Sequence, residues 1–149
     1  MDNKNCQICE EGHLTPCVDK NLVEYKGHTT ELDSHYSICD ACGCEQTNAT
    51  QMRDNKRAML AFKKEVDGLL TGDEIKKIRL LLGITQNEAA TIFGGGTVAF
   101  SKYENNDVMQ SVPMDRLLRV ANEVPEAFSV LARKFGLNVT SDSSPRTIL

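Results

Sequence analysis

The spacing of apolar residues changes period once along the chain, near residue 50. Before that point the apolar and β-branched residues fall in short runs. Leu22-Val23-Glu24-Tyr25 and Glu31-Leu32-Asp33-Ser34-His35-Tyr36-Ser37-Ile38 flank Lys26-Gly27, which predicts two strands and a turn in a small antiparallel sheet. An edge of such a sheet either accepts a strand from a partner or is simply solvated. From Thr50 to Leu70 the period becomes helical, with Met59, Phe62, Val66 and Leu69 spaced 3, 4 and 3 apart among charged residues. That pattern predicts an amphipathic helix joining the two halves, either packed on its own domain or serving as a hinge or dimer contact.

Residues 71–137 carry the punctuation of five short helices. Thr71-Gly72-Asp73-Glu74 and Thr85-Gln86-Asn87-Glu88 are two capping boxes, in which a Thr hydroxyl and a Glu carboxylate satisfy the free amides at a helix start. The first helix buries Ile75, Ile78 and Leu82 and ends at Gly83. The second runs through Phe93, with Ala89 and Ala90 small enough for close approach of another helix. After Gly94-Gly95-Gly96 a third helix, Thr97 to about Asn105, is expected to bury Phe100 and Tyr103. It leaves Thr97, Val98, Ser101, Lys102 and Asn105 outward. Two short helices joined by a glycine turn describe a helix-turn-helix, whose second helix enters the major groove of DNA. No G-x-x-x-x-G-K-[ST] run or preceding strand supports nucleotide binding at the glycines. Asp115–Val124 and Pro125–Gly136 supply two more helices, the latter with Pro125 at N1 and Phe128, Leu131 and Phe135 on one face. They complete the bundle and offer a dimer seam.

The cysteines add chemistry to the first half. Cys6 and Cys9, then Cys39 and Cys42, form two C-x-x-C pairs, and a turn of that kind brings two thiolates within reach of one ion. Met1 to Cys17 holds no charged segment followed by an apolar one of the kind that directs secretion. Reduced thiols in an intracellular, cytoplasmic chain are therefore expected. A thioredoxin-type redox pair would need a βαβ context, which is missing. One structural Zn²⁺ per chain on Cys6, Cys9, Cys39 and Cys42 is the preferred reading. Four Cys ligands leave no open position for an activated water. Cys17 and Cys44 are surplus; Cys44 is either an alternative ligand or a spectator, and the spectator reading is preferred for both. His13, His28 and His35 are read as solvated or packed side chains.

Length and charge sharpen this division. Residues 1–49 carry three Lys against nine Asp and Glu, while residues 50–149 carry fourteen Lys and Arg against twelve acids. A four-thiolate zinc site adds further negative charge to the first half, which should favour a basic partner and repel nucleic acid. A module of this size buries too little surface to stand alone, so metal would supply the missing stability. The expectation is an α+β protein. A small zinc-stabilised, β-rich domain occupies 1–49, a linker helix 50–70, an all-α five-helix domain 71–137 and a disordered tail 138–149. No stretch is apolar for long enough to span a membrane, and no Ser-His-Asp arrangement, open metal site or phosphate loop points to an enzyme.

The segments Ile84-Thr85-Gln86-Asn87-Glu88-Ala89-Ala90, Ile92-Phe93-Gly94-Gly95-Gly96 and Ala99-Phe100-Ser101-Lys102-Tyr103-Glu104 closely resemble the Xre/Cro helix-turn-helix of MqsA-type antitoxins. The C-x-x-C pairs resemble the zinc domain of the same family, and together the similarity covers roughly residues 4 to 132. The resemblance implies a dimeric antitoxin whose zinc domain neutralises a cognate toxin, typically an MqsR-like mRNA endoribonuclease. The second domain would repress the operon by binding a palindrome in double-stranded DNA. The chain departs from the family where bases are read: Val98 stands for the familiar Asn and Lys102 for the familiar Arg. A Val offers only apolar contact, for instance to a thymine methyl, and a Lys is a point donor. Gln86, Thr97, Ser101 and Asn105 remain candidate contacts, Gln86 as a phosphate-positioning group. The alternative is a stand-alone zinc-containing helix-turn-helix repressor without a toxin.

Overall fold

Lys26 and Gly27 have φ values of 51° and 80°, and this pair of left-handed residues reverses the chain between two long strands. β1 (Leu14–Tyr25) and β2 (His28–Cys39) pair antiparallel from Tyr25↔His28 to Leu14↔Cys39, and β3 (Glu45–Gln46) adds to β2 at Ser37 and Ile38. The computed structural model describes residues 4–136, so the tail expected at 138–149 lies outside the described residues. The strands are longer than the apolar pattern predicts. Pro16 and the run Asp19-Lys20-Asn21 are poor strand formers, but β1 is the outer strand, where proline and polar side chains are tolerated. Cross-strand polar contacts hold this part of the ladder: Lys20 pairs with Asp33, and the Tyr36 hydroxyl donates to Asp19 Oδ2 at 2.8 Å.

The helix that leads from the first half to the second, α1 (Ala49–Val66), packs on its own half against β2, the first of the two expected placements. Its start is closed by a capping box between Asn48 and Gln51. Three side chains fasten it. Gln51 Nε2 donates to Ser37 Oγ at 2.9 Å. The Asn55 carboxamide accepts from the His35 backbone N–H at 2.8 Å and donates to the His35 carbonyl at 3.0 Å, so it completes the β2 edge as a neighbouring strand would. At the far end Asp67 accepts from the Tyr25 hydroxyl and from Lys26 Nζ, at 3.0 and 2.7 Å. The chain accordingly divides into the units Met1–Gly68 and Leu69–Leu149. This moves the basic residues of α1 into the first unit. Met1–Gly68 holds eight Lys and Arg against twelve acids, and Leu69–Leu149 nine against nine, so the second unit has no net charge.

The second unit contains α2 (Gly72–Leu81), α3 (Gln86–Phe93), α4 (Ala99–Glu104), α5 (Val112–Glu123) and α6 (Pro125–Phe135), making the whole an α+β protein. Both capping boxes form, on Thr71 and Thr85. α4 starts two residues later than expected, because Thr97 and Val98 lie in the preceding turn. α5 starts three residues earlier, because the Ser111 side chain caps it. Ile75, Ile78, Ala89, Ala90, Phe93, Phe100 and Leu118 form the core, with Phe128 and Leu131 packed against it. Phe135, expected on the same face, is 56% exposed at the last turn of α6. Among the described residues no helix is long and apolar enough to cross a membrane.

Two buried carboxylates brace this bundle. Glu104 receives Arg79 Nε and Nη2 at 2.7 and 2.9 Å, while Arg79 Nη1 donates to the Ile84 carbonyl, so one ion pair ties α2 to the end of α4 and to the start of the α3 turn. Asp115 accepts from the Leu70 N–H at 2.7 Å, from Gln110 Nε2 and from Arg119 Nε. Burial pushes its pKa up, but the Leu70 amide, Arg119 and Gln110 together hold it below the usual carboxylate range. Replacing Glu104 by Ala strands the Arg79 guanidinium, whose side chain is only 11% exposed. The expected cost is about 3–5 kcal/mol, a melting point lowered by more than about 10 °C for this unit in a circular-dichroism melt. A shift below about 3 °C would show that the pair does not brace the fold.

Candidate metal centre and nucleic-acid interface

Each C-x-x-C pair sits in a tight loop at the open end of the hairpin; one backbone bond closes the first loop on itself, and two bonds between His13 and Asp40 join the loops. Cys6 N–H donates to the Gly12 carbonyl at 2.9 Å, Asp40 N–H to the His13 carbonyl at 3.0 Å, and His13 N–H to Asp40 Oδ1 at 2.8 Å. The sulfurs of Cys6, Cys9, Cys39 and Cys42 thereby converge, all within 4.8 Å of one another. Cys9 to Cys39 is 3.6 Å and Cys6 to Cys42 is 3.8 Å. A tetrahedron with metal–sulfur bonds of about 2.3 Å has edges of about 3.8 Å, so the four thiols fit a single ion.

Backbone amides prepare the sulfurs for that charge. Ile8 N–H points at Cys6 Sγ, Gly12 N–H at Cys9 Sγ, and the amides of Ala41 and Cys42 at Cys39 Sγ, each at 3.4 Å. The Cys6 thiol is drawn down to about 6, chiefly by the Cys9 amide and against the effect of burial. Cys39 is lowered likewise, first by the Cys42 amide. Both shifts favour the thiolate that a metal requires, whereas Cys9 is raised despite the Glu11 and Gly12 amides, and Cys42 is raised to about 11 despite the Cys44 amide, by burial and the neighbouring thiols. His13 contributes its backbone to the loops, and none of the three histidines belongs to the cluster.

Three participants escape the sequence reading. Gly12 is one: a Cβ there would lie 2.2 Å from Cys39 Sγ and 2.8 Å from the Ala41 Cβ, so only glycine lets the second loop close over the first. Gln46 is another, its Nε2 donating to Cys6 Sγ at 3.2 Å and to Cys44 Sγ at 3.1 Å. The third is Cys44, read as a spectator but lying with its sulfur 3.5 Å from that of Cys6. Gly12 leaves a trace, since it follows the first pair directly in C-x-x-C-x-x-G; Gln46 leaves none. Cys17 lies apart on β1, its thiol against the Thr15 carbonyl.

The candidate DNA face is built on the glycine turn between α3 and α4. Gly94, Gly95 and Gly96 all have positive φ, 92°, 104° and 93°, and a Cβ on Gly95 would meet Ala99 at 3.1 Å. No run of side-chain-bearing residues takes up three such conformations without strain. The turn delivers α4 with Phe100 buried edge-on to Tyr103 and tilted against Phe93. Thr97, Val98, Lys102 and Asn105 are exposed, Val98 at 57%, and Ser101 is half-buried on the same helix. Gln86 is placed differently from an outward phosphate ligand: it is half-buried, and its Nε2 donates to Glu104 Oε1 at 3.3 Å.

Two substitutions test the metal geometry. Cys39→Ser removes a ligand and Gly12→Ala drives a methyl group into the same sulfur, so both are expected to lose bound metal in elemental analysis. The helical circular-dichroism signal of residues 69–136 should persist in each. Full metal content in Gly12→Ala would show that the loops close without the glycine.

Comparison with known proteins agrees with this geometry. A family model described as "Antitoxin component of bacterial toxin-antitoxin system, MqsA" matches residues 4–131. The Escherichia coli (strain K12) protein "Antitoxin MqsA" is 31% identical over 123 residues, covering 81% of this chain and 94% of the relative. The family match runs from the cysteine loops into α6, and the chain belongs to the MqsA antitoxin family of bacterial toxin–antitoxin systems.

Proposed function

We propose that this antitoxin holds one structural zinc ion on Cys6, Cys9, Cys39 and Cys42, neutralises a cognate toxin with its amino-terminal unit, and represses its own operon as a DNA-bound homodimer in the cytoplasm. The observation that carries the proposal is the union in one chain of a four-thiol centre and an exposed short helix presented by a glycine turn. Zinc is favoured because four thiolates in tetrahedral array are its usual structural environment. The ion would supply cross-linking only, because no ligand position remains for substrate. The protein performs no chemistry of its own in this reading.

A docking place for the toxin follows from the sheet. β1 is its outer strand, with Val18 and Leu22 exposed at 54% and 73%, so a partner strand has both backbone groups and apolar side chains to meet. The partner class that the family resemblance implies is an MqsR-like mRNA endoribonuclease. The net charge of −4 on Met1–Gly68, made more negative by a four-thiolate zinc site, favours a basic one.

DNA recognition falls to the exposed start and outer face of α4. Thr97 and Val98 stand in the turn just before it, Lys102 on the helix and Asn105 at its C-cap, and Val98 suits the methyl group of a thymine. Gln86 acts here by positioning: its bond to Glu104 ties the start of α3 to α4. Because the unit carries no net charge, affinity rests on a few local contacts. Two copies would place their α4 helices in successive major grooves about one helical turn apart on a palindrome.

Two experiments check these assignments. Tagged full-length chain and a tagged 69–149 fragment are expressed in the native host, and co-purifying proteins are identified by mass spectrometry. A stoichiometric small basic protein with full length only is expected; DNA alone with both would favour the stand-alone repressor. On an operator mapped by footprinting, Lys102→Ala is expected to lose about 1–3 kcal/mol of binding, with relaxed base preference at one position. Unchanged affinity across a salt titration would remove Lys102 from the interface.

A further inference from the structure

A fifth sulfur lies beside the four-thiol centre, against one of its members. Besides the four converging thiols, Cys44 Sγ lies 3.5 Å from Cys6 Sγ, as close as Cys9 is to Cys39 at 3.6 Å and closer than Cys42 is to Cys6 at 3.8 Å. Cys6 therefore shares a tetrahedron-sized edge with both Cys42 and Cys44. The backbone keeps Cys44 there, its carbonyl accepting from the Cys39 N–H at 3.0 Å, and Gln46 Nε2 reaches both its sulfur and that of Cys6.

The four converging thiols are unequally held. Cys6 and Cys39 are each only 1% exposed, whereas Cys42 lies at the surface. Between Cys42 and Cys44 stands only Gly43, at φ 74° and with open space around its Cα. Gly43 N–H donates to the Cys39 carbonyl at 3.0 Å and nothing crowds its Cβ position, so rotation about this glycine is the route by which the two sulfurs trade places, while Cys6 and Cys39 stay buried.

We propose that Cys44 is a standby metal ligand that replaces Cys42, so that the ion is held permanently by Cys6, Cys9 and Cys39 and by either of two exchangeable thiols. The inference rests on the four-cysteine zinc reading above. The exchange is neutral in protons and electrons: one metal–sulfur bond breaks as another forms, and the Cys42 sulfur takes the proton that Cys44 gives up. Loss or chemical blocking of the exposed Cys42 then leaves the centre loaded.

The test compares purified, zinc-loaded full-length chains by elemental analysis and zinc K-edge X-ray absorption. Wild type is expected to show one zinc with four sulfurs, and Cys17→Ser serves as the control for removal of an unrelated thiol. Cys42→Ser is expected to keep one zinc with four sulfurs, and the double variant Cys42→Ser, Cys44→Ser to fall to three sulfurs or lose the ion. A wild-type chain without a four-sulfur zinc would overturn the zinc reading itself. A four-sulfur wild type beside a Cys42→Ser variant with three sulfurs or no zinc would overturn only the standby role. Should Cys42→Ser fail to fold, limited alkylation of wild type followed by native mass spectrometry decides. Exchange requires a species alkylated at Cys42 that still carries zinc; protection of Cys42 equal to that of Cys39 would end the proposal.

Discussion

Convergence of four sulfurs at the open end of the hairpin is the constraint on which the amino-terminal unit depends. Its strands are long but largely solvated, and the apolar side chains buried among its described residues are Cys6, Cys39 and Phe62. So small a core does not offset the entropy of ordering a unit of this length. On the metal reading proposed above, an ion held by residues 6, 9, 39 and 42 would close a large loop and take the place of a hydrophobic centre. Everything else in the unit is arranged around that closure: the ladder aligns the two loops, Gly12 lets them meet, and Asn55 and Asp67 lay α1 along the strand.

The second unit solves its packing by different means. Its core is conventional in composition, but the order of its short helices is enforced by polar braces. Arg79 and Glu104 cross from α2 to α4, and Asp115 holds the entry of the chain at Leu70. Buried charged groups of this kind are costly unless fully paired, and their pairing admits few alternative packings. The consequence for function is that α4, only six residues long, is held by Phe100 inside and Glu104 at its end while its outer residues stay free for contact. A helix this short would not persist alone in water.

The two units also differ in how charge is used. The excess of six acids in residues 1–49 is softened once α1 is seen to lie on β2, because that helix brings Arg53, Lys56, Arg57, Lys63 and Lys64 with it. Lys63 stands over the Tyr25 ring at 5.4 Å, and Lys26 over it at 5.2 Å, so part of the positive charge is spent on holding the hairpin tip against the helix. The five-helix unit is left electrically balanced. The DNA recognition proposed for such a unit would depend on position, residue by residue, more than on a general field.

Local chemistry explains what was legible in the chain alone. Two C-x-x-C pairs, two capping boxes and a triple glycine each act within a few residues of one another, so their spacing by itself determined the thiol set, the starts of α2 and α3, and the turn before α4. The extent of the hairpin was less visible, because the polar segment Asp19-Lys20-Asn21 becomes strand only through its partners on β2. Tertiary structure alone decided that α1 packs on β2, that Gln86 turns inward to Glu104, that Phe135 stays exposed, and that Cys44 joins Cys6. These contacts link residues far apart in sequence or depend on the angle at which elements meet, and neither has a period or a local signature that a linear pattern can carry.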